Sequence, residues 1–236
     1  MIDYVDEYGI NHGVGVKIDG TVWAPVNCGY HATDFKYGKL YQWGRKYGQG
    51  YSGDLYNDWN KIGETSDATV PEFSEGGVSE TAGNHNSNSN VFYTGPTDWI
   101  DPQNDKLWNN GSESFPVRTE SDPCPEGWRV PTYAELNELN QNHSLWTTNA
   151  AGQPGYWFSG ASSYTEGAPQ VFFPAAGSRD YSGNASYRGL GGFYWSSVSY
   201  YGDYNYSYSL YFHNGHVNLC NDSRAFGFSV RCVQEQ

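Results

Sequence analysis

The sequence predicts a loop-rich α+β domain built from short antiparallel sheets and two helices, and three observations support this prediction. The 29 glycines and 11 prolines interrupt the 236-residue chain too often for long helices. Aromatic residues make up 17% of the chain, with 21 tyrosines and 9 tryptophans, so much of the core must be aromatic. Apolar and polar residues also alternate in short segments between turn residues, which is typical of strands.

The charge and hydropathy of the chain argue against several classes of partner. A formal net charge of −13 argues against nucleic acid, because phosphate binding depends on clustered cations. An anionic membrane surface is disfavoured for the same reason, and no apolar run reaches the length of a membrane-spanning helix. Residues 1–3 do not begin a signal peptide, so we expect any targeting segment to be missing from this chain.

The first half of the chain is expected to contain a tail, a hairpin, a helix and long loops. Residues 1–12 look like a tail or linker, and residues 13–18 and 21–26 alternate around Asp19-Gly20, a strong hairpin signal. Residues 51–120 are polar and read as surface loops. Apolar residues at helical spacing predict a helix of about three turns: Leu40, Tyr41, Trp43 and Tyr47. Three tryptophans are expected to hold the loops: Trp59, Trp99 and Trp108.

The second half carries clearer element signals. Thr132 and Glu135 form a capping box, in which each side chain satisfies a backbone donor at the start of a helix. Leu136 and Leu139 give that helix its buried stripe. Three strands are predicted downstream, over residues 171–177, 194–198 and 227–233.

The four cysteines are even in number and widely spaced, without a CxxC pair or a Cys/His cluster that would suggest zinc. This pattern predicts one or two disulfides in an oxidising compartment. Three complete pairings remain open from the sequence among Cys28, Cys124, Cys220 and Cys232.

Five sequence blocks resemble, in order, the Fibrobacter succinogenes major paralogous domain. They are residues 23–27, 41–43, 124–131, 194–197 and 227–232. The resemblance covers nearly the whole chain and implies a single domain over residues 13–236, similar in fold to C-type lectins and to the formylglycine-generating enzyme. In that fold the terminal strands pair, two helices flank them and long loops present the binding face. It also implies a disulfide between Cys124 and Cys232, which lie in two of the blocks.

The same resemblance implies a cellular setting. Domains of this kind are exported to a bacterial cell surface or carried on a phage virion, where they act as adhesins, pilus-tip modules or receptor-binding proteins. The expected location is therefore extracellular, and the expected partner is a protein or glycan on another cell or surface.

The residue types near the C-terminus are restricted in an unusual way. Residues 196–233 contain no Glu, Lys, Gln, Trp or Met. None of these five types is reached by replacing the adenines of an asparagine codon, whereas Tyr, Asn, Ser, Asp and His are. The stretch resembles the variable region of target proteins of diversity-generating retroelements, and we expect that region to cover about residues 199–226.

Tyrosine together with small polar residues is the mixture that antibody paratopes use for binding. Strand alternation puts Leu210 and Phe212 inward and Tyr211 and His213 outward. Val217 and Leu219 would anchor the next strand likewise, exposing His216, Asn218 and Cys220. The candidate ligand-binding residues are Tyr200, Tyr201, Asp203, Tyr204, Tyr206, Tyr211, His213, His216, Asn218, Asn221 and Asp222. The alternative interpretation is an ordinary solvated loop, or tyrosines that belong to the core.

No catalytic residues, metal ligands or cofactors are assigned. On one strand, the spacing of His213 and His216 would point them to opposite faces. The calcium motifs of sugar-binding C-type lectins are absent, although the acidic loops leave room for a structural calcium ion. The predicted function is therefore a surface-displayed binding protein, not an enzyme. Two alternatives remain: an adhesion module without diversification, and an oxidase of the formylglycine-generating type that uses Cys28 or Cys220.

Overall fold

The structure, a computed structural model, describes residues 1–68, 73–74, 91–141, 143–160 and 167–236. Its strands, in chain order, are β1 (Asp3–Val5), β2 (Asn11–Val14), β3 (Val16–Ile18), β4 (Thr21–Trp23), β5 (Leu40–Gln42), β6 (Ser52–Asn57), β7 (Asn60–Ser66), β8 (Phe73–Ser74), β9 (Phe92–Tyr93), β10 (Trp128–Arg129), β11 (His143–Thr148), β12 (Pro154–Ser159), β13 (Gln170–Pro174), β14 (Ser178–Arg179), β15 (Ala185–Arg188), β16 (Gly191–Ser199), β17 (Tyr206–His213), β18 (His216–Ser223), β19 (Gly227–Ser229) and β20 (Val233–Gln234). The single helix of these residues, α1, spans Tyr133–Gln141. It is not long and apolar enough to cross a membrane.

The predicted α+β class with two helices is wrong, because the described chain is nearly all β with one helix. The segment expected to form the first helix forms strand β5 instead. All three of its residues are buried, and β5 pairs with β19. Gln42 also bonds the backbone of Tyr93 and Ala225. A segment buried on both faces has apolar residues at almost every position, so helical spacing arises there by coincidence.

Nine strands form the largest sheet, in the order β18-β17-β16-β19-β14-β15-β6-β7, with β5 beside β19. The chain termini form a second, four-stranded sheet in the order β10-β20-β4-β3. In it, Val233 pairs with Trp23, so strands near the two ends of the chain meet. β11, β12 and β13 form a third sheet, and two further sheets have two strands each: β1 with β2, and β8 with β9.

Two predicted local motifs are confirmed. β3 and β4 form an antiparallel hairpin around Asp19-Gly20, with Ile18 paired to Thr21. At the start of α1, the Glu135 carboxylate accepts a hydrogen bond from the Thr132 N–H (2.7 Å), and the Thr132 hydroxyl accepts one from the Glu135 N–H (3.4 Å). Leu136 and Leu139 are fully buried, as their spacing predicts.

The first residues of the chain are packed on the domain, although the sequence suggested a tail or linker over residues 1–12. β1 and β2 pair antiparallel. Tyr4 is 1% exposed, and its ring meets Trp128 edge-on at 5.2 Å. The tail was predicted from the polar composition of this segment. Composition does not show that a single side chain, here the Tyr4 ring, is buried in the core.

Two aromatic-rich cores hold the sheets together. The first contains Trp43, Trp108, Trp128 and Trp195 around the Cys124–Cys232 disulfide, which closes a separation of 108 residues. The second lies under α1 and packs Leu136 and Leu139 against inward residues of the large sheet, including Tyr194, Leu210 and Phe212. The structure thus pairs the cysteines that the resemblance implied.

The polar stretch over residues 51–120 is more regular than the expected loops. β6 and β7 form a hairpin within it. Trp99 and Trp108 are buried and hold the stretch to the core, but Trp59 is 62% exposed and lies outside the core. The asparagine-rich residues 84–90 lie outside the described residues.

Candidate functional site

The candidate site lies on the β17–β18 hairpin at the edge of the large sheet. Strand alternation and the β17–β18 register place eight residues on one side: Ser207, Ser209, Tyr211, His213, His216, Asn218, Cys220 and Asp222. We call this side the hairpin face. Tyr211 sits opposite Asn218, and His213 sits opposite His216. Leu210 and Phe212 point the other way and are completely buried, so the predicted alternation is confirmed.

None of the eleven predicted ligand-binding residues is buried. Five of them share the hairpin face: Tyr211, His213, His216, Asn218 and Asp222. The remaining six lie beyond this face: Tyr200, Tyr201, Asp203, Tyr204, Tyr206 and Asn221. The predicted set therefore does not form one surface, because Tyr206 and Asn221 lie on the opposite side of the hairpin and the other four residues lie in the turn before β17.

The turn that joins β16 to β17 carries four of these six residues. Asp203 accepts hydrogen bonds from both nitrogens of Asn205, and the Tyr206 N–H donates to the Asp203 carbonyl. Asp203 therefore shapes the turn through local bonds, as aspartate often does. Tyr201 and Tyr204 are left 73% and 59% exposed.

Four tyrosines meet beside this turn, and we call them the tyrosine cluster: Tyr133, Tyr200, Tyr201 and Tyr208. The Tyr208 ring lies 4.3 Å from Tyr133, 5.3 Å from Tyr200 and 5.6 Å from Tyr201, measured between centroids. Burial, followed by its hydrogen bond with Tyr201, raises the pKa of Tyr208 well above its ordinary value. Tyr208 and Tyr133 were not among the predicted site residues, because their contact joins distant segments.

A row of rings continues from the hairpin face across the large sheet. Tyr211 stacks on Phe193 at 4.8 Å, Phe193 lies 5.9 Å from Tyr187, and Tyr187 stacks on Tyr56 at 6.2 Å. Sequence reasoning missed these last three rings. They precede the restricted stretch, and only the strand order brings them beside it.

At the other end of the hairpin face, Trp59 approaches the histidines. It sits at the tip of the β6–β7 hairpin, with its ring 5.2 Å from the His213 ring and nearly perpendicular to it. The His213 and His216 rings are 5.1 Å apart and almost parallel. An exposed tryptophan over an imidazole pair extends the available surface beyond β17 and β18.

The expectation that His213 and His216 point to opposite faces is wrong. They do not lie on one continuous strand, because Asn214-Gly215 forms a two-residue turn between them and Gly215 has φ +81°. Asn-Gly is the dipeptide that two-residue hairpin turns favour, so the signal was present in the sequence. The turn places the two residues directly opposite each other on the hairpin face.

A buried ionic network fixes the hairpin to the core. Arg224 is fully buried; its Nε donates to the Ser207 hydroxyl (3.1 Å), and its guanidinium lies 3.5 Å from Asp98 and 2.5 Å from Asp105. The same guanidinium lies over the Trp43 ring at 4.4 Å. Burial raises the pKa of the Asp98 carboxyl to about 6, although Arg224 acts to lower it. Arg224 thus ties the start of β17 to the loop that carries Asp98 and Asp105 and to the core.

The free cysteines show no sign of activation. Cys28 is buried with its sulfur within 4.8 Å of both disulfide sulfurs, and it accepts a hydrogen bond from the Tyr41 hydroxyl (3.3 Å). Burial raises the pKa of Cys28 to about 12. Burial also raises the pKa of Cys220. Thiols in such surroundings stay protonated at neutral pH and are poor nucleophiles.

A concavity of about 830 Å³ lies elsewhere in the described part of the chain. It is lined at the start of α1 by groups of both charges, including Glu113, Arg129, Glu135 and Glu138. None of the eleven predicted residues lines it.

One family comparison overlaps the site. A family model described as a domain of unknown function (DUF8237) matches residues 138–233, which is less than half of the chain. The match contains both the hairpin face and the turn before it. No curated protein and no solved structure matches the chain.

Proposed function

We propose that this protein binds a macromolecular ligand through the hairpin face and the tyrosine cluster. One observation carries the proposal: over residues 210–213 of β17, Leu210 and Phe212 are buried on the inward side, whereas Tyr211 and His213 point outward and are partly exposed. Scaffold and display are therefore separated residue by residue in this second half of the strand. Tyrosine offers a large contact area at low entropic cost, which suits a recognition surface.

The row of exposed and partly exposed rings favours a protein or a glycan over a small molecule. Asn218 is exposed beside Tyr211 on the hairpin face, where its side chain can form hydrogen bonds with a ligand. The formal charge of −13 makes nucleic acid an unsuitable partner. We place the protein outside the cell or on a cell or virion surface, in line with the family resemblance and with a disulfide that persists in oxidising compartments.

We further propose that the restricted stretch is diversified by a retroelement. The outward residues Tyr211, His213, His216 and Asn218 are all reachable from an asparagine codon by changing adenines. The test is to sequence the surrounding locus. A near-copy of the segment encoding residues 199–226, differing only at adenines and adjacent to a reverse transcriptase gene, is the expected result. A locus without such a copy would leave the second candidate, an adhesion module of fixed sequence.

An oxidase of the formylglycine-generating type has little support. Such chemistry depends on reactive cysteines, whereas burial raises the pKa of both Cys28 and Cys220. We therefore propose recognition without turnover.

The binding proposal is tested with the double variant Tyr211→Ala/His213→Ala on arrays of glycans and of purified surface proteins. We expect the strongest wild-type signals to weaken by about tenfold or more, since large aromatic residues dominate binding energies. The melting temperature should change little, because both side chains are partly exposed. Tyr47→Ala, which removes another half-exposed tyrosine, serves as the control. Unchanged binding, or unfolding of the double variant, would overturn the assignment of this face.

A further inference from the structure

The two histidines at the tip of the β17–β18 hairpin are arranged to share one ion. His213 and His216 are directly paired across the strands, and their ring centroids lie 5.1 Å apart. Directly opposed residues of an antiparallel pair have Cβ atoms about 5 Å apart, so their side chains can reach a common point. We propose that His213 and His216 form a chelating site for a divalent transition metal ion such as Zn²⁺, Ni²⁺ or Cu²⁺.

The hydrogen bond of His213 sets its tautomer for this role. Its Nδ1 lies 3.0 Å from the Asn214 carbonyl oxygen, which can only accept a hydrogen bond. Nδ1 therefore carries the proton, and Nε2 presents its lone pair away from the turn. Metal-binding histidines commonly use this arrangement, in which a backbone carbonyl orients the ring.

The second imidazole is accessible to solvent. His216 is exposed, and its ring contacts the rings of Tyr211 and His213. The two rings are stacked face to face, so chelation requires the exposed His216 ring to rotate until one of its nitrogens faces the same point as Nε2 of His213. Imidazole nitrogen favours zinc, copper and nickel over calcium and magnesium, which prefer oxygen.

The site leaves coordination positions open. Among the described residues, no third histidine, cysteine or carboxylate completes a group with this pair. A bound ion would keep water at the remaining positions. A histidine or carboxylate of the bound partner could displace that water, so the ion would bridge the two molecules. This bridging step rests on the proposed binding function, whereas metal binding itself does not.

The direct test is to titrate ZnCl₂ and CuSO₄ into the purified chain at neutral pH, without any partner. Calorimetry should give one ion per chain, and Cu²⁺ should quench Trp59 fluorescence, because its ring lies 5.2 Å from His213. His213→Gln and His216→Gln should each weaken binding by about tenfold or more. His31→Gln is the control and should bind as the wild type does. Wild-type affinity in the His213→Gln/His216→Gln variant would overturn the site.

A second measurement separates this proposal from the proposed function. Target binding on the arrays is compared with and without a chelator, and then after Zn²⁺ is restored. Loss and recovery of the signal supports bridging by the ion. Binding that is unaffected by the chelator overturns bridging but leaves the hairpin face as the ligand surface.

Discussion

Asp122 shows how strongly burial in this aromatic core can shift the pKa of a single side chain. It is fully buried and accepts hydrogen bonds from the N–H groups of Cys124 (2.8 Å) and Val130 (2.9 Å). Burial raises the pKa of Asp122 to about 7, while these two hydrogen bonds act to lower it. The carboxylate thus connects the disulfide-bearing loop to the residue after β10.

This environment predicts a pH-dependent stability. The pKa of Asp122 is raised in the folded state above its ordinary value of 3.8, so the folded chain binds more protons than the unfolded chain between the two values. Its contribution to the free energy of unfolding therefore falls as pH rises from about 4 to about 7. The side chain of Asp122→Asn resembles the protonated carboxyl and does not titrate. Between these pH values, the free energy of unfolding of this variant should therefore fall by a few kcal/mol less than that of the wild type. Urea denaturation across that pH range measures it, and a constant offset between the two proteins would contradict the prediction.

At the same scale, the sequence could assign Tyr211 but not Tyr208. Tyr211 alternates with Leu210 and Phe212, so its outward direction follows from β17 alone. The position of the Tyr208 ring depends on its contacts with Tyr133, at the start of α1, and with Tyr200, in the turn before β17. Contacts between segments this far apart in the sequence depend on tertiary packing, and local sequence patterns do not predict them.

Among the secondary-structure elements, the β17–β18 hairpin depends on its two-residue turn. Gly215 has φ +81°, a left-handed conformation that costs an L-residue about 1–2 kcal/mol. An added Cβ at Gly215 would meet nothing within 4 Å, so a substitution there reports backbone conformation without any clash.

Gly215→Ala should therefore lower the free energy of unfolding by about 1 kcal/mol and speed amide exchange in β17 and β18. Gly20→Ala is a matched control, because Gly20 also has open space around it and lacks the left-handed φ. Denaturant titration and hydrogen exchange measure both variants. Equal effects at the two glycines would show that the turn conformation does not hold the hairpin.

Elements with their own local chemistry could be predicted from the sequence. Asp19-Gly20 specified the β3–β4 hairpin, and Thr132 with Glu135 specified the start of α1. The predicted helix at residues 40–47 was wrong because β5 is buried on both faces, which removes the alternation that identifies a strand. The Asn214-Gly215 turn had a clear signal in the sequence, although the directions of His213 and His216 were predicted as if both residues lay on one strand.

For the whole molecule, amino-acid composition predicted which residue types fill the core, but not how the strands are arranged around it. Trp43, Trp108, Trp128 and Trp195 fill one core, as the high content of aromatic residues predicts. Their arrangement into a nine-stranded sheet mixes parallel and antiparallel pairs between distant segments. Such pairings have no short-range signature, which is why the balance of helix and strand was misjudged.

The Cys124–Cys232 disulfide is the covalent link that acts on the whole molecule. It closes a separation of 108 residues, and a loop of about 100 residues loses about 4.7 kcal/mol of unfolded-state entropy in the chain-entropy model. Cys124→Ala/Cys232→Ala should therefore lower the melting temperature by roughly 10 °C or more in a domain of this size. Cys220→Ala, which removes a free and half-buried thiol, should have little effect. Calorimetry of the three proteins under non-reducing conditions measures the difference, and a double variant that melts with the wild type would mean that the two cysteines are not bonded.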